Sequence, residues 1–387
     1  MTEDKKRALK QELRADVEEG YSVGVQAAVY EKGQEIFYDA YGMADRERGI
    51  PMGRDSVCRI YSMTKPVTAA AAWILKERGL LDFSMPVEKY LPEFAHMQVL
   101  EGTHVVPAKR SILIEDLLSM TSGLVYPDAD EAGRRMEEQF EDIENAIRAG
   151  RGFSTREVLG KIAGVPLCAQ PGTQWRYGLS ADVLGGVIQE VSGKSLAEFF
   201  LEEIFEPLEM RDTAFYVPEE KQGRFAQLYK RTGPGACGID RKRHLGLTMC
   251  LEPPAFQSGG AGLVSTIEDY SHFACMLAAG GVWKGKRILS EETVEAFSRN
   301  MLPTELLGTI SFAHMKGYGY GNLMRVNLGR GESFSTECPG EFGWDGWTGP
   351  YFTVDRNKQK VFLFMVQVSD YQHWDRIWKM RDIVFGE

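Results

Sequence analysis

The sequence predicts an α+β protein: one antiparallel sheet assembled from both ends of the chain, with an all-helical lobe inserted between the two halves. Three observations lead there. β-rich runs cluster near the N-terminus (23–41) and near the C-terminus (318–366), while residues from about 80 to 255 are helix-rich with few strand signals. The 387 residues are long for one compact core, so two lobes are expected. Continuous connections then require a discontinuous sheet domain, 1–80 with 256–387, and a helical domain, 81–255.

The elements follow in order. Residues 4–19 are charged, with Leu9, Leu13 and Val17 at helical spacing, an amphipathic first helix. Runs at 23–30 and 35–41 are joined through Glu31-Lys32-Gly33-Gln34, a hairpin with a glycine in its loop. A helix of strong formers follows Ser62 and stops at Gly79. Residues 85–92 read as a short turn of helix, and a helix at 114–118 breaks at Ser119. Residues 129–150 carry Met136, Phe140, Ile143 and Ile147 on one stripe, a surface helix suited to forming a wall or lid. Ser154 with Glu157 caps a helix reaching Ile162, and further helices cover 180–191 and 196–204. The glycine-rich stretch 258–266 enters a helix at 267–279; it lacks the phosphate-loop spacing and lysine, so its glycines signal close backbone packing. Strand signals return at 318–326, 341–344, 351–354 and 361–366, and a helix at 374–383 closes the chain.

Composition is that of an ordinary soluble globular protein, 43% hydrophobic and 26% charged. A net charge of −10 argues against nucleic acid or an anionic membrane surface as partner. The charged N-terminus lacks the apolar core of a signal peptide, and no run approaches membrane-spanning length, so a cytoplasmic protein is expected. Six cysteines lie far apart without a C-x-x-C pair, which makes free thiols the expectation. The six histidines show no metal spacing, and no Ser-His-Asp hydrolase signature is read. Neither a metal nor a cofactor is expected.

The chemistry gathers at Ser62-Met63-Thr64-Lys65. Residues i and i+3 share a helix face, so the hydroxyl and the amine can meet in one space. Pro66 places Ser62 in the first helical turn. There the helix dipole favours an anionic serine oxygen and, with burial, disfavours a charged lysine. That would make Ser62 a nucleophile and Lys65 its base. An S-x-x-K arises by chance about once in a chain this long, so the rest of the chain must decide. Tyr177, in Tyr177-Gly178-Leu179, offers a phenol able to share the serine proton. Trp344-Asp345-Gly346-Trp347 opens a glycine-studded strand pair whose backbone N–H groups suit an oxyanion hole.

Together, Ser62-Met63-Thr64-Lys65, Tyr177-Gly178-Leu179 and Trp344-Asp345-Gly346 resemble the three motifs of serine hydrolases built like class C β-lactamases. The segments 117–124 and 258–266 are also similar to that family. The resemblance spans nearly the whole chain. It implies a sheet flanked by N- and C-terminal helices (a β-lactamase/transpeptidase-like fold) with the active site between sheet and helical lobe. Carried over, Ser62 is the nucleophile, Lys65 and Tyr177 the base pair, and the N–H groups of Ser62 and Trp347 the oxyanion hole. The lactamase pattern has Tyr-x-Asn where Leu179 stands, and Lys-Thr-Gly where Trp344-Asp345-Gly346 stands. A tryptophan there is similar to the family VIII carboxylesterase branch.

The expected activity is hydrolysis of a small carboxylic ester through an acyl-enzyme. A D-amino-acid peptidase, an amidase, a weak β-lactamase, or an inactive ligand- or partner-binding member of the fold are the alternatives. Tyr126, Trp175, Phe256 and Trp347 are expected pocket walls, with Trp344, Asp345 and Gly346 also facing substrate. Asp345, unless turned into a salt bridge, would repel anionic substrates. The sequence leaves the oligomeric state open.

Overall fold

The computed structural model describes every residue except Lys242, Arg243, Gly246, Thr248, Met249 and Glu387. Its centre is an eight-stranded antiparallel sheet. Three strands come from the N-terminal end: β1 (Gly24–Glu31), β2 (Gln34–Asp45) and β3 (Ile50–Pro51). Five come from the C-terminal end: β4 (Tyr318–Gly321), β5 (Met324–Asn327), β6 (Phe342–Asp345), β7 (Tyr351–Asp355) and β8 (Lys360–Val366). The spatial order is β4-β5-β6-β7-β8-β1-β2-β3, and β1 pairs with β8 from Val25↔Val366 to Glu31↔Lys360. The two chain ends therefore share one ladder, as expected.

Side-chain alternation splits that ladder between two cores. Val25, Ala27 and Val29 of β1 and Phe362, Phe364 and Val366 of β8 pack with Leu9, Leu13, Ile377 and Met380. Those last residues belong to the terminal helices α1 (Glu3–Glu18) and, at the other end of the chain, Trp374–Phe385. Ala28, Val361, Leu363 and Met365 face the opposite way, into a core that continues through the helical lobe. The expected hairpin closes through Lys32 and Gly33, both at positive φ, and β1 and β2 run with a bulge at Val29/Tyr30.

The long helix α2 (Thr64–Glu77) is buried along most of its length and packs against α6 (Ser180–Ser192). Between them in sequence lie α3 (Ile114–Leu118), α4 (Glu131–Arg148) and α5 (Thr155–Ala163). Met136, Phe140 and Ile143 of α4 are buried, the stripe the spacing predicts, and Ser154 and Glu157 form the expected capping box on α5. The helix at Leu196–Phe200 continues directly into one π-helical turn, Leu201–Phe205, so the helical run covers the 196–204 stretch read from sequence. Two short hairpins add to this helix-rich stretch, Gln98–Glu101 with His104–Pro107 and Tyr229–Gly233 with Ala236–Ile239. The second already leans on the sheet, where the Tyr229 N–H donates to Gln367 O at 3.0 Å. Among the described residues no helix is long and apolar enough to cross a membrane.

Candidate active site

Every residue from Ser56 to Ala72 is buried except Ser62. The short strand Cys58–Arg59 delivers the chain to a 3-10 turn, Tyr61–Met63, and α2 begins at Thr64. Ser62 thus sits just ahead of the helix rather than inside its first turn, and Lys65 is the helix's second residue. Tyr61 holds a positive φ of 41°, a conformation that costs a bulky residue on the order of 1–3 kcal/mol. The surroundings enforce it: Arg59 O accepts from Thr348 Oγ1 at 3.0 Å and Gln367 Nε2 at 2.9 Å, and Ile60 N–H donates to Leu263 O.

Lys65 is fully buried. Its Nζ lies 3.0 Å from Ser62 Oγ, 2.9 Å from the Tyr126 hydroxyl and 2.9 Å from Gly260 O. Burial pulls its pKa down to about 7, against the opposing attraction of Asp182 and Asp345. Its Nζ also stands over the Tyr177 ring, 4.7 Å from the centroid. The Tyr177 hydroxyl is bonded to Ser62, and it accepts from Trp344 Nε1 at 3.1 Å. Burial nonetheless holds this phenol well above its ordinary range.

The third motif closes the site. A Cβ on residue 346 would stand 2.4 Å from Ile60 O, so the end of β6 approaches the turn carrying Ser62 as only glycine allows. The next residue, Trp347, rests its ring edge-on against Tyr61 at 5.2 Å and stacks on His244 at 4.2 Å. Among the described residues the Trp347 N–H has no acceptor. Ser62, Tyr126, Tyr177, Asp345 and Trp347 are the partly exposed members of this group.

Several expectations change here. Asp345 is not a bare carboxylate: its Oδ1 accepts from Arg325 Nη1 at 3.1 Å, and Arg325 is itself buried with Nη2 on Phe352 O. Burial still raises Asp345 to about 6. Trp344 is not a cleft wall; it is 1% exposed and meets Tyr177 from behind. Trp175, also buried, stacks on Tyr177 at 6.1 Å, and Phe256 lies in the core. Tyr126, read as a wall, turns its hydroxyl to Lys65. Contrary to the absence of a Ser-His-Asp hydrolase signature expected above, the chain does contain one Gly-x-Ser-x-Gly run, Gly20 to Gly24. Its Ser22 is buried between α1 and β1, not on the strand-to-helix elbow of Ser-His-Asp hydrolases. A cavity of about 660 Å³ walled by Phe205, Met210, Phe215 and Val217 includes none of the residues around Ser62.

The β-lactamase family model matches residues 9–380. The chain belongs to the β-lactamase family. Among curated relatives of this family member, protein Rv1367c of Mycobacterium tuberculosis (strain ATCC 25618 / H37Rv) is 32% identical, over 92% of this chain and 88% of that one. Esterase EstB of Burkholderia gladioli is 30% identical, over 86% of this chain and 83% of its own. The solved structure of EstCE1, described as a hydrolase with promiscuous acyltransferase activity, superposes with a TM-score of 0.84 at 24% identity, covering 99% and 98%. Of these matches, EstB is named an esterase, in line with the esterase side of the family that Trp344 suggested.

Proposed function

We propose that this chain is a serine carboxylesterase acting through an acyl-enzyme on Ser62. The observation that carries the reading is the pairing of a solvent-reached Ser62 with a wholly buried Lys65 at 3.0 Å. An amine with a pKa of about 7 is neutral often enough to accept a proton, and cationic readily enough to return it. Lys65 therefore takes the Ser62 proton as Oγ attacks the ester carbonyl. Tyr177, whose pKa is raised, is poorly suited to be the first base. It instead passes its own proton to the departing alkoxide and is reprotonated from Lys65. The N–H groups of Ser62 and Trp347 receive the developing oxyanion. Water then attacks the acyl carbonyl by the reverse sequence and releases the acid.

The named activity of EstB supports ester substrates. The third motif supports esters over β-lactams: Trp344 stands where the lactamase pattern offers a lysine to a carboxylate, and its indole N–H is engaged by Tyr177. The test is turnover of p-nitrophenyl butyrate against nitrocefin, in wild type and Ser62→Ala. Ester hydrolysis that vanishes in the variant supports the reading, whereas undiminished hydrolysis in Ser62→Ala or a preference for nitrocefin removes it.

A further inference from the structure

One buried carboxylate has no part in those proton transfers. Asp182, third residue of α6, is 2% exposed. Its Oδ1 accepts from Ser258 Oγ at 2.5 Å and from the Gly260 N–H at 3.2 Å. Gly260 in turn offers its carbonyl to Lys65 Nζ at 2.9 Å. A Cβ at residue 260 would stand 2.5 Å from Asp182 Oδ2, so this approach requires glycine. Thr68 Oγ1, donating to Gly259 O at 2.7 Å, ties the same turn to α2. Among the described residues, Asp182's bonded partners are neutral donors, and a buried carboxylate without a bonded cation is costly to keep.

We propose that Asp182 is a positioning residue for Lys65: it fixes the Ser258–Gly260 turn that aims a carbonyl at Nζ, and it supplies the uncompensated negative charge against which Lys65 holds its proton. The inference rests on reading Lys65 as the base. The groups around Nζ support the choice. Tyr126, Tyr177 and Ser62 present hydroxyls, and Asp345 approaches from β6 with its charge already offset by Arg325. Asp182 is the stronger of the two acids that favour the ammonium. Without it, desolvation would leave Lys65 a base too weak to take the serine proton efficiently.

The experiment measures kcat/KM for p-nitrophenyl butyrate from pH 5 to 9 in wild type, Asp182→Asn, Ser258→Ala and Lys65→Ala. Asp182→Asn keeps an acceptor for Ser258 and Gly260 and removes only the charge. Its acid limb moves down by about one pH unit, the low end of the effect of a nearby charge, and its plateau falls about tenfold. Ser258→Ala keeps the charge, so it lowers the plateau without moving the limb. A folded Asp182→Asn enzyme with an unmoved limb overturns the proposal. If that variant does not fold, Asp182→Ser, which leaves room for water, carries the same prediction and the same refutation. A Lys65→Ala enzyme that keeps both its activity and its acid limb overturns the base assignment instead.

Discussion

The indole N–H of Trp344 donates to the Tyr177 hydroxyl at 3.1 Å, so this buried tryptophan contacts the tyrosine instead of standing open in the cleft. In the proposed mechanism the tryptophan therefore acts on the proton relay through Tyr177. A hydrogen bond to an oxygen gaining charge contributes roughly 1.5–3 kcal/mol. Trp344→Phe, which keeps the ring and removes the donor, should lower kcat by about tenfold to a hundredfold with KM little changed. Stopped-flow or steady-state kinetics on a p-nitrophenyl ester checks this; a KM rise at constant kcat would return Trp344 to substrate binding.

Because Lys65 titrates near 7, kcat/KM should rise as pH passes through about 7 and then level. Stability follows the same group with a definite sign. The folded pKa lies below the ordinary 10.5, so between about 7 and 10.5 the unfolded chain binds more protons and stability increases with pH. Below 7 both states are protonated and the whole penalty of burying the ammonium is present. Lys65→Met should therefore gain more melting temperature over wild type at pH 6 than at pH 9. Calorimetry at the two pH values reads this directly, and a difference independent of pH would contradict it.

Arg325 revises what Asp345 does to substrate choice. Two like charges about 4 Å apart repel by roughly 4 kcal/mol at an effective dielectric near 20, but the guanidinium at 3.1 Å cancels most of that field. Asp345→Asn should change the ratio of kcat/KM for anionic and neutral esters by less than about tenfold. Arg325→Met should instead cost about 1–3 kcal/mol of stability, because it leaves a partly buried carboxylate unpaired. Denaturant titration and a matched substrate pair test both; a thousandfold gain for anionic esters in Asp345→Asn would show that the carboxylate acts on substrate after all.

Local rules account for what the sequence made legible. The i, i+3 relation of Ser62 and Lys65, the stripe on α4, the Ser154–Glu157 capping box and the turn at Lys32-Gly33 each lie within a few residues. Interactions across the fold were not legible. Arg325 reaches Asp345 across paired strands, and Tyr126 reaches Lys65 from a loop 61 residues away. Trp175 and Trp344 read as cleft aromatics because a buried ring packed on Tyr177 has the same composition as one facing a ligand. The offset of Ser62 into a 3-10 turn depends on Tyr61 at positive φ, which long-range bonds to Arg59 and Ile60 enforce.

The most direct measurement is covalent labelling by a fluorophosphonate, followed by intact and peptide mass spectrometry. Attack by Ser62 Oγ expels fluoride and leaves the phosphonyl group on the serine. The account predicts one label per chain on the peptide carrying Ser62, loss of esterase activity in proportion to labelling, and neither label nor activity in Ser62→Ala. Stoichiometric labelling of another residue with full loss of activity, or a fully labelled Ser62 with activity intact, would contradict it.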